Sequence, residues 1–222
     1  MAINVEQLYG LASRNLKAVC YGYAKECNMG PGEDFHNAVL KGGDKFVRVF
    51  PGAVADAWEI YSMAREDVLK SKGGTAYTAL KRLLKNVYKY RSDMNGYWMD
   101  AEGRQCFCDG YRAVRLFHGH AVQGFEEVRG IDLGPIIKED EGYTDLPLPT
   151  PGELKACIAE QKGCDRKFYD FGENLPRVDA NYLKDVMDIL PGAKAKHCGL
   201  MKGILFESDV GDGILLPVRK TA

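Results

Sequence analysis

The chain reads as an α+β protein with helices on one face of antiparallel sheet, and three observations lead there. Helical periodicity dominates residues 1–90; turn-punctuated strand patterns follow over 96–117 and again over 203–218; and a helix followed by three or so strands occurs more than once. Helices and strands in separate runs, without the strict βαβ alternation of a parallel sheet, are what an antiparallel sheet covered on one side requires. No internal repeat of fixed period is obvious.

Composition sets the outer bounds. With 222 residues the chain holds one large domain or two small ones, and 45% hydrophobic with 27% charged residues is ordinary for a folded protein. The opening Met1-Ala2-Ile3-Asn4-Val5-Glu6 lacks the basic and apolar regions of a secretory signal, and no apolar stretch approaches the roughly 18 residues that cross a bilayer. The expectation is a cytoplasmic protein that does not span a membrane. Seven cysteines, an odd number without framework spacing, fit reduced thiols. A net charge of −1 gives no global attraction to nucleic acid, so any DNA contact must come from a local face.

In residues 1–74, Asn4 with Gln7 forms a capping box ahead of the apolar stripe Val5, Leu8, Leu11 and Ala12, which predicts a helix to about Lys17. Gly30-Pro31-Gly32 and Lys41-Gly42-Gly43-Asp44 read as turns flanking a polar loop, and Lys45-Phe46-Val47-Arg48-Val49-Phe50 as a short strand ended by Pro51-Gly52. Over 53–70, Val54, Trp58, Tyr61, Ala64 and Val68 recur at helical steps, and Lys72-Gly73-Gly74 ends that helix. This mainly helical segment carries no functional motif.

Residues 75–222 begin with a helix from Thr75 to about Tyr90, with Tyr77, Leu80, Leu84, Val87 and Tyr88 on an apolar arc and Lys81, Arg82, Lys85 and Lys89 on the arc beside it. Strands are expected at 96–99, 105–108 and 111–117, broken at Ala101-Glu102-Gly103 and Asp109-Gly110. Thr150 is the expected N-cap of a helix with Pro151 at its first position, Glu153 closing a capping box, and Leu154, Cys157 and Ile158 inward. Strands at 167–171 and 175–178 lead to a helix capped by Asp179 with Leu183, Val186, Met187 and Leu190 inward, stopped by Pro191-Gly192. Strands at 203–206 and 213–218, joined by a polar turn at 207–212, complete the pattern.

Two stretches of residues 75–222, one at 105–113 and the terminal one from 179 to 219, resemble the bacterial β sliding clamp family. Gln105-Cys106-Phe107-Cys108-Asp109-Gly110-Tyr111-Arg112-Ala113 looks like that family's strand pair around a Thr-Asp-Gly-aromatic-Arg-Leu turn. Asp179-Ala180-Asn181-Tyr182-Leu183 is similar to its Asn-x-x-Tyr-Leu helix start, and Leu215-Leu216-Pro217-Val218-Arg219 to its closing Met-Pro-Met/Val-Arg strand. The resemblance implies βαβββ units repeated by pseudo-symmetry, helices lining a channel, and homo-oligomers closing a ring around double-stranded DNA. It also implies a peptide-docking groove for polymerase or repair proteins, carried here by Gly110, Tyr111, Arg112, Ala113, Leu216, Pro217, Val218 and Arg219. Such a trough, apolar with an arginine at each rim, suits a peptide with apolar anchors and one acidic or polar end. Lys81, Arg82, Lys85 and Lys89 are the matching DNA-facing candidates, since non-specific affinity comes from phosphate neutralisation; a solvated helix face is the plainer meaning of the same lysines. Cys108 and Ala113 stand where the family has threonine and leucine, and a full clamp chain is much longer.

No catalytic residue, cofactor or metal is assigned from the sequence. Cys106-x-Cys108 is one residue too tight for a zinc knuckle, its two thiols falling on the same sheet face, and His36, His118 and His120 stand in no catalytic motif. Two alternatives stay open: an α+β module that binds a protein or small ligand without DNA, and an enzyme using Cys106 or Cys108, recognisable by abnormal thiol reactivity.

Overall fold

Helix capping and glycine punctuation divide the chain into segments that a computed structural model, describing residues 4–50, 52–87 and 94–219, resolves into two compact units, Met1–Gly74 and Thr75–Ala222. The first holds α1 (Val5–Glu26), α2 (Gly32–Val47) and the first part of α3 (Ala53–Lys85). Asn4 and Gln7 cap α1 reciprocally, as the sequence requires, but the helix runs past Lys17 to Glu26 because Ala12, Leu16, Cys20 and Ala24 continue a buried four-residue spacing. The short strand expected at 45–50 is instead the end of α2 and the turn after it. Phe46, on α2, and Phe50, four residues later in the turn, have ring centroids 5.0 Å from each other, and both pack on Phe35. Their β-forming composition is overridden by this aromatic cluster, which needs an i, i+4 pair. The Gly42-Gly43 turn signal does leave its mark, since Gly43 departs from helical geometry at φ 55°. α3 departs likewise at Gly74, φ 56°, where the two units divide.

The second unit has the α+β architecture that the sequence predicts. Its strands are β1 (Trp98–Met99), β2 (Gln105–Cys108), β3 (Arg112–Leu116), β4 (Thr144–Leu146), β5 (Phe168–Asp170), β6 (Arg177–Asp179), β7 (Lys194–His197), β8 (Ile204–Ser208) and β9 (Gly211–Leu215), with α4 (Pro151–Glu160) and α5 (Ala180–Ile189) between them. Seven strands form one sheet in the order β1-β2-β3-β9-β8-β7-β4, every neighbouring pair antiparallel, and β5 pairs with β6 separately. Alternation sorts the two faces. Phe107, Val114, Leu116, Ile204, Phe206 and Leu215 face the helices, packing against Leu80 and Leu83 of α3, Leu154 of α4, and Leu183 and Val186 of α5. On the other face Cys106, Cys108, Ala113, Leu205 and Ile214 pack beneath residues of the irregular stretch 118–143, including Leu133. Both Cys106 and Cys108 thus share a face.

Helix then meander occurs twice. The part of α3 after Gly74 leads to β1, β2 and β3, while α5 leads to β7, β8 and β9, and the two meanders meet where β3 pairs with β9. Close approach at that join is allowed by glycine, since a Cβ on Gly211 would stand 2.2 Å from the Arg115 carbonyl oxygen. Strands β4 and β7 have no counterpart in the sequence reading, and the β8–β9 turn is tighter than expected, Ser208 pairing with Gly211.

Candidate cleft between the Asp109–Arg112 turn and segment 216–219

Strands β2 and β3 are joined by Asp109-Gly110-Tyr111-Arg112, a turn built by one side chain. Asp109 Oδ1 accepts from the main-chain N–H of both Tyr111 and Arg112, 2.9 Å each, and Gly110 takes φ 88°, a conformation that favours glycine. Leu216 donates its main-chain N–H to the Tyr111 carbonyl at 2.8 Å, so the stretch after β9 continues alongside this turn. Two residues further on, Val218 donates to the Arg177 carbonyl at 2.7 Å, and the Arg177 guanidinium donates to the Arg219 carbonyl. Segment 216–219 therefore crosses from the large sheet to the β5–β6 pair.

A cleft of about 430 Å³ lies along that crossing, lined by Asn86, Tyr111, Arg166, Phe168, Asp179, Tyr182, Leu216, Pro217, Val218 and Arg219. Tyr111 and Leu216 are exposed large apolar residues here. The Tyr111 and Tyr182 rings stand 6.0 Å apart. Phe168 is held by the Gln161 side chain, which donates to its carbonyl and accepts from its N–H, both at 2.8 Å, in the manner of a strand partner. Asp179 is occupied as the N-cap of α5, accepting from Asn181 and Tyr182. Among the described residues the cations on the lining are Arg166 and Arg219.

Of the eight groove residues expected from the sequence, Tyr111, Leu216, Pro217, Val218 and Arg219 line this cleft. Gly110, Arg112 and Ala113 are not among the lining residues. Ala113 is buried on the opposite sheet face. Arg112 is not a rim residue, because its side chain is wholly buried: it donates to Asp109 Oδ2 at 3.0 Å and to Asp185 Oδ2 at 2.7 Å, and lies 4.3 Å over the Tyr182 ring. A buried guanidinium needs such partners, and two carboxylates pull it inward. Arg166, Phe168 and Asn86 carried no signal of their own in the sequence, while Asp179 and Tyr182 fell in a motif noted for its helix start.

The helical cations are placed differently from one another. Lys81 lies 5.8 Å over the Tyr77 ring, Lys85 is exposed, and Lys89 falls outside the described residues. Arg82 is tied back to α5, donating to Asp185 Oδ1 at 2.7 Å and to Asp188 Oδ2 at 3.3 Å. Its charge is largely spent within the fold, so the basic arc is narrower than the four side chains of the sequence reading. The reactive-thiol alternative loses ground at Cys106, where burial pushes the thiol up to about 12, opposite to what a nucleophile needs at neutral pH. All seven cysteines are free thiols. Among the described residues no group of three His, Cys, Asp or Glu side chains is placed to hold a metal, and no helix is long and apolar enough to cross a membrane.

Comparison with known protein families, curated proteins and solved structures finds no match for this chain.

Proposed function

We propose that the second unit is a sliding-clamp-like, DNA-associated scaffold that docks short apolar peptides of replication or repair proteins in the cleft beside Tyr111, without catalysis of its own. One observation carries the reading: Tyr111 and segment 216–219, over a hundred residues apart in the sequence, are hydrogen-bonded side by side and line one aromatic cleft. Three aromatic rings with Leu216, Pro217 and Val218 offer anchoring surface, and Arg166 with Arg219 offers a charged partner for an acidic residue, which is how a peptide is held in register. The doubled helix-then-meander order is a further point in favour, because the clamp resemblance implies a repeated βαβββ unit. Among the described residues the second repeat is preceded by strand β4, which pairs with β7 and is separated from α5 in the chain by α4, β5 and β6.

The test is a titration of a fluorescein-labelled peptide bearing leucine and phenylalanine anchors and one aspartate. Saturable binding is expected, weakened about tenfold or more by Tyr111→Ala and by Pro217→Ala, as for an interface anchor worth about 1.4 kcal/mol or more. A wild-type protein that leaves the peptide unbound, or two variants that bind it as tightly as wild type, sinks the reading. The inward pairing of Arg82 favours a second form of it, a peptide-binding module that never meets DNA.

A further inference from the structure

Arg112 is the largest of the fully buried side chains among the described residues, and of its three contacts Tyr182 lines the cleft, Asp109 folds the turn that carries Tyr111, and Asp185 lies on the same helix as Tyr182. Asp109, which it neutralises at 3.0 Å, is the carboxylate that folds the turn presenting Tyr111. Tyr182, over whose ring it lies at 4.3 Å, lines the cleft beside Tyr111, the two rings 6.0 Å apart. Asp185, one helical turn after Tyr182 on α5, takes Arg112 on Oδ2 and Arg82 of α3 on Oδ1, so a single carboxylate joins a fully buried guanidinium to a half-exposed one. Another Arg112 donor, Nη2, meets no acceptor among the described residues. A buried donor left over in this way is disfavoured, and the structure keeps it while the guanidinium stays stacked on Tyr182.

We propose that Arg112, clamped between Asp109 and Asp185, is the positioning residue of the cleft: it sets the spacing of the Tyr111 and Tyr182 rings without touching the occupant. The inference rests on reading the cleft as a peptide site, and it replaces the direct contact that the sequence assigned to Arg112. Two carboxylates, one of them shared with Arg82, and the Tyr182 ring fix the planar guanidinium in position and orientation, which an ammonium could not reproduce. Because Asp185 also holds Arg82, the spacing of the rings is tied to an ion pair on the α3 surface.

The test compares Asp185→Asn with Asp212→Asn. Asp212 pairs with Arg115 at 2.7 Å on the other sheet face, away from the cleft, so its loss reports general destabilisation alone. Two readouts are taken, the Kd of the fluorescein-labelled peptide and the ring signals of Tyr111 and Tyr182 in carbon-13 tyrosine NMR. Asp185→Asn is expected to weaken the peptide about tenfold, the size of one charged hydrogen bond, and to move both ring signals. Asp212→Asn is expected to leave Kd within about twofold, as for a distant independent site, and to leave the rings where they are. Equal effects of the two variants, or unmoved rings in Asp185→Asn, overturn the inference. Should wild type not bind the peptide, the peptide reading falls, and the ring signals alone decide positioning. Should Asp185→Asn not fold, Arg82→Gln substitutes for it, since it removes only the half-exposed partner. A shift of the Tyr182 signal upholds the coupling, and an unshifted one overturns it.

Discussion

Asp100 closes the β1–β2 turn with one carboxylate: Oδ1 accepts from the N–H of Glu102 and of Arg104, both at 2.9 Å, and Oδ2 from the Arg104 guanidinium at 2.7 Å. Burial pushes this carboxyl up, but the hydrogen bonds and the positive charge of Arg104 outweigh it and hold it below its ordinary value. A carboxyl lowered in the folded state stabilises the fold at pH above its unfolded value of about 3.9, and that contribution is lost as pH falls through the folded value. Asp100→Asn is therefore expected to lower stability by about 1 kcal/mol at neutral pH. The difference from wild type should shrink at pH 3, read by urea unfolding at both pH values. An equal difference at the two pH values contradicts the assignment. The residue scale is also where sequence alone runs short. Asp109-Gly110-Tyr111-Arg112 announces a turn, yet nothing local distinguishes an arginine that faces solvent from one whose charge is matched by Asp185, far away in the chain.

Elements defined by local chemistry were legible. Thr150 and Glu153 cap α4 reciprocally, with Pro151 at the first helical position, and Asp179 caps α5, as the side-chain spacing requires. Thr150→Ala is expected to cost about 1 kcal/mol of unfolding free energy by losing the N-cap hydrogen bond; a change below a few tenths in chemical denaturation would mean that α4 is held by packing alone. Strand β2 is legible in full, as its four residues lie between a turn and an Asp-Gly pair. Strands β4 and β7 were not, because Thr144–Leu146 is three residues long and Lys194–His197 alternates lysine with small or polar residues; partners in β7 and β8 supply what their own side chains lack. The same competition, reversed, turned the aromatic run at 45–50 from an expected strand into the end of α2.

At the scale of the whole molecule, the cleft was half visible. The ordered pair of motifs located Tyr111 and 216–219, but the wall made by Phe168, Asp179 and Tyr182 depends on how β5, β6 and α5 come together, which no spacing encodes. For DNA, the internal pairing of Arg82 leaves Lys81 and Lys85 as the described cations of the arc. If the DNA-associated form of the proposal holds, Lys81→Glu with Lys85→Glu should weaken retention on duplex DNA and reduce the slope of log affinity against log salt by about two. An unchanged slope leaves the peptide-binding form standing alone.

The antiparallel seam of Arg112 with Leu215 and Ala113 with Ile214 has one more consequence. Side chains alternate along both strands, so sliding one meander by a single position would carry Asp212 into the core beneath the helices and turn Leu215 to the other face, beneath residues 118–143. Offsets between the halves are thus permitted only in double steps of nearly 7 Å. Since Tyr111 rides on one half and Leu216 on the other, the cleft behaves like a lock with two tumblers: it is either in alignment or far out of it, with no shallow misfit between.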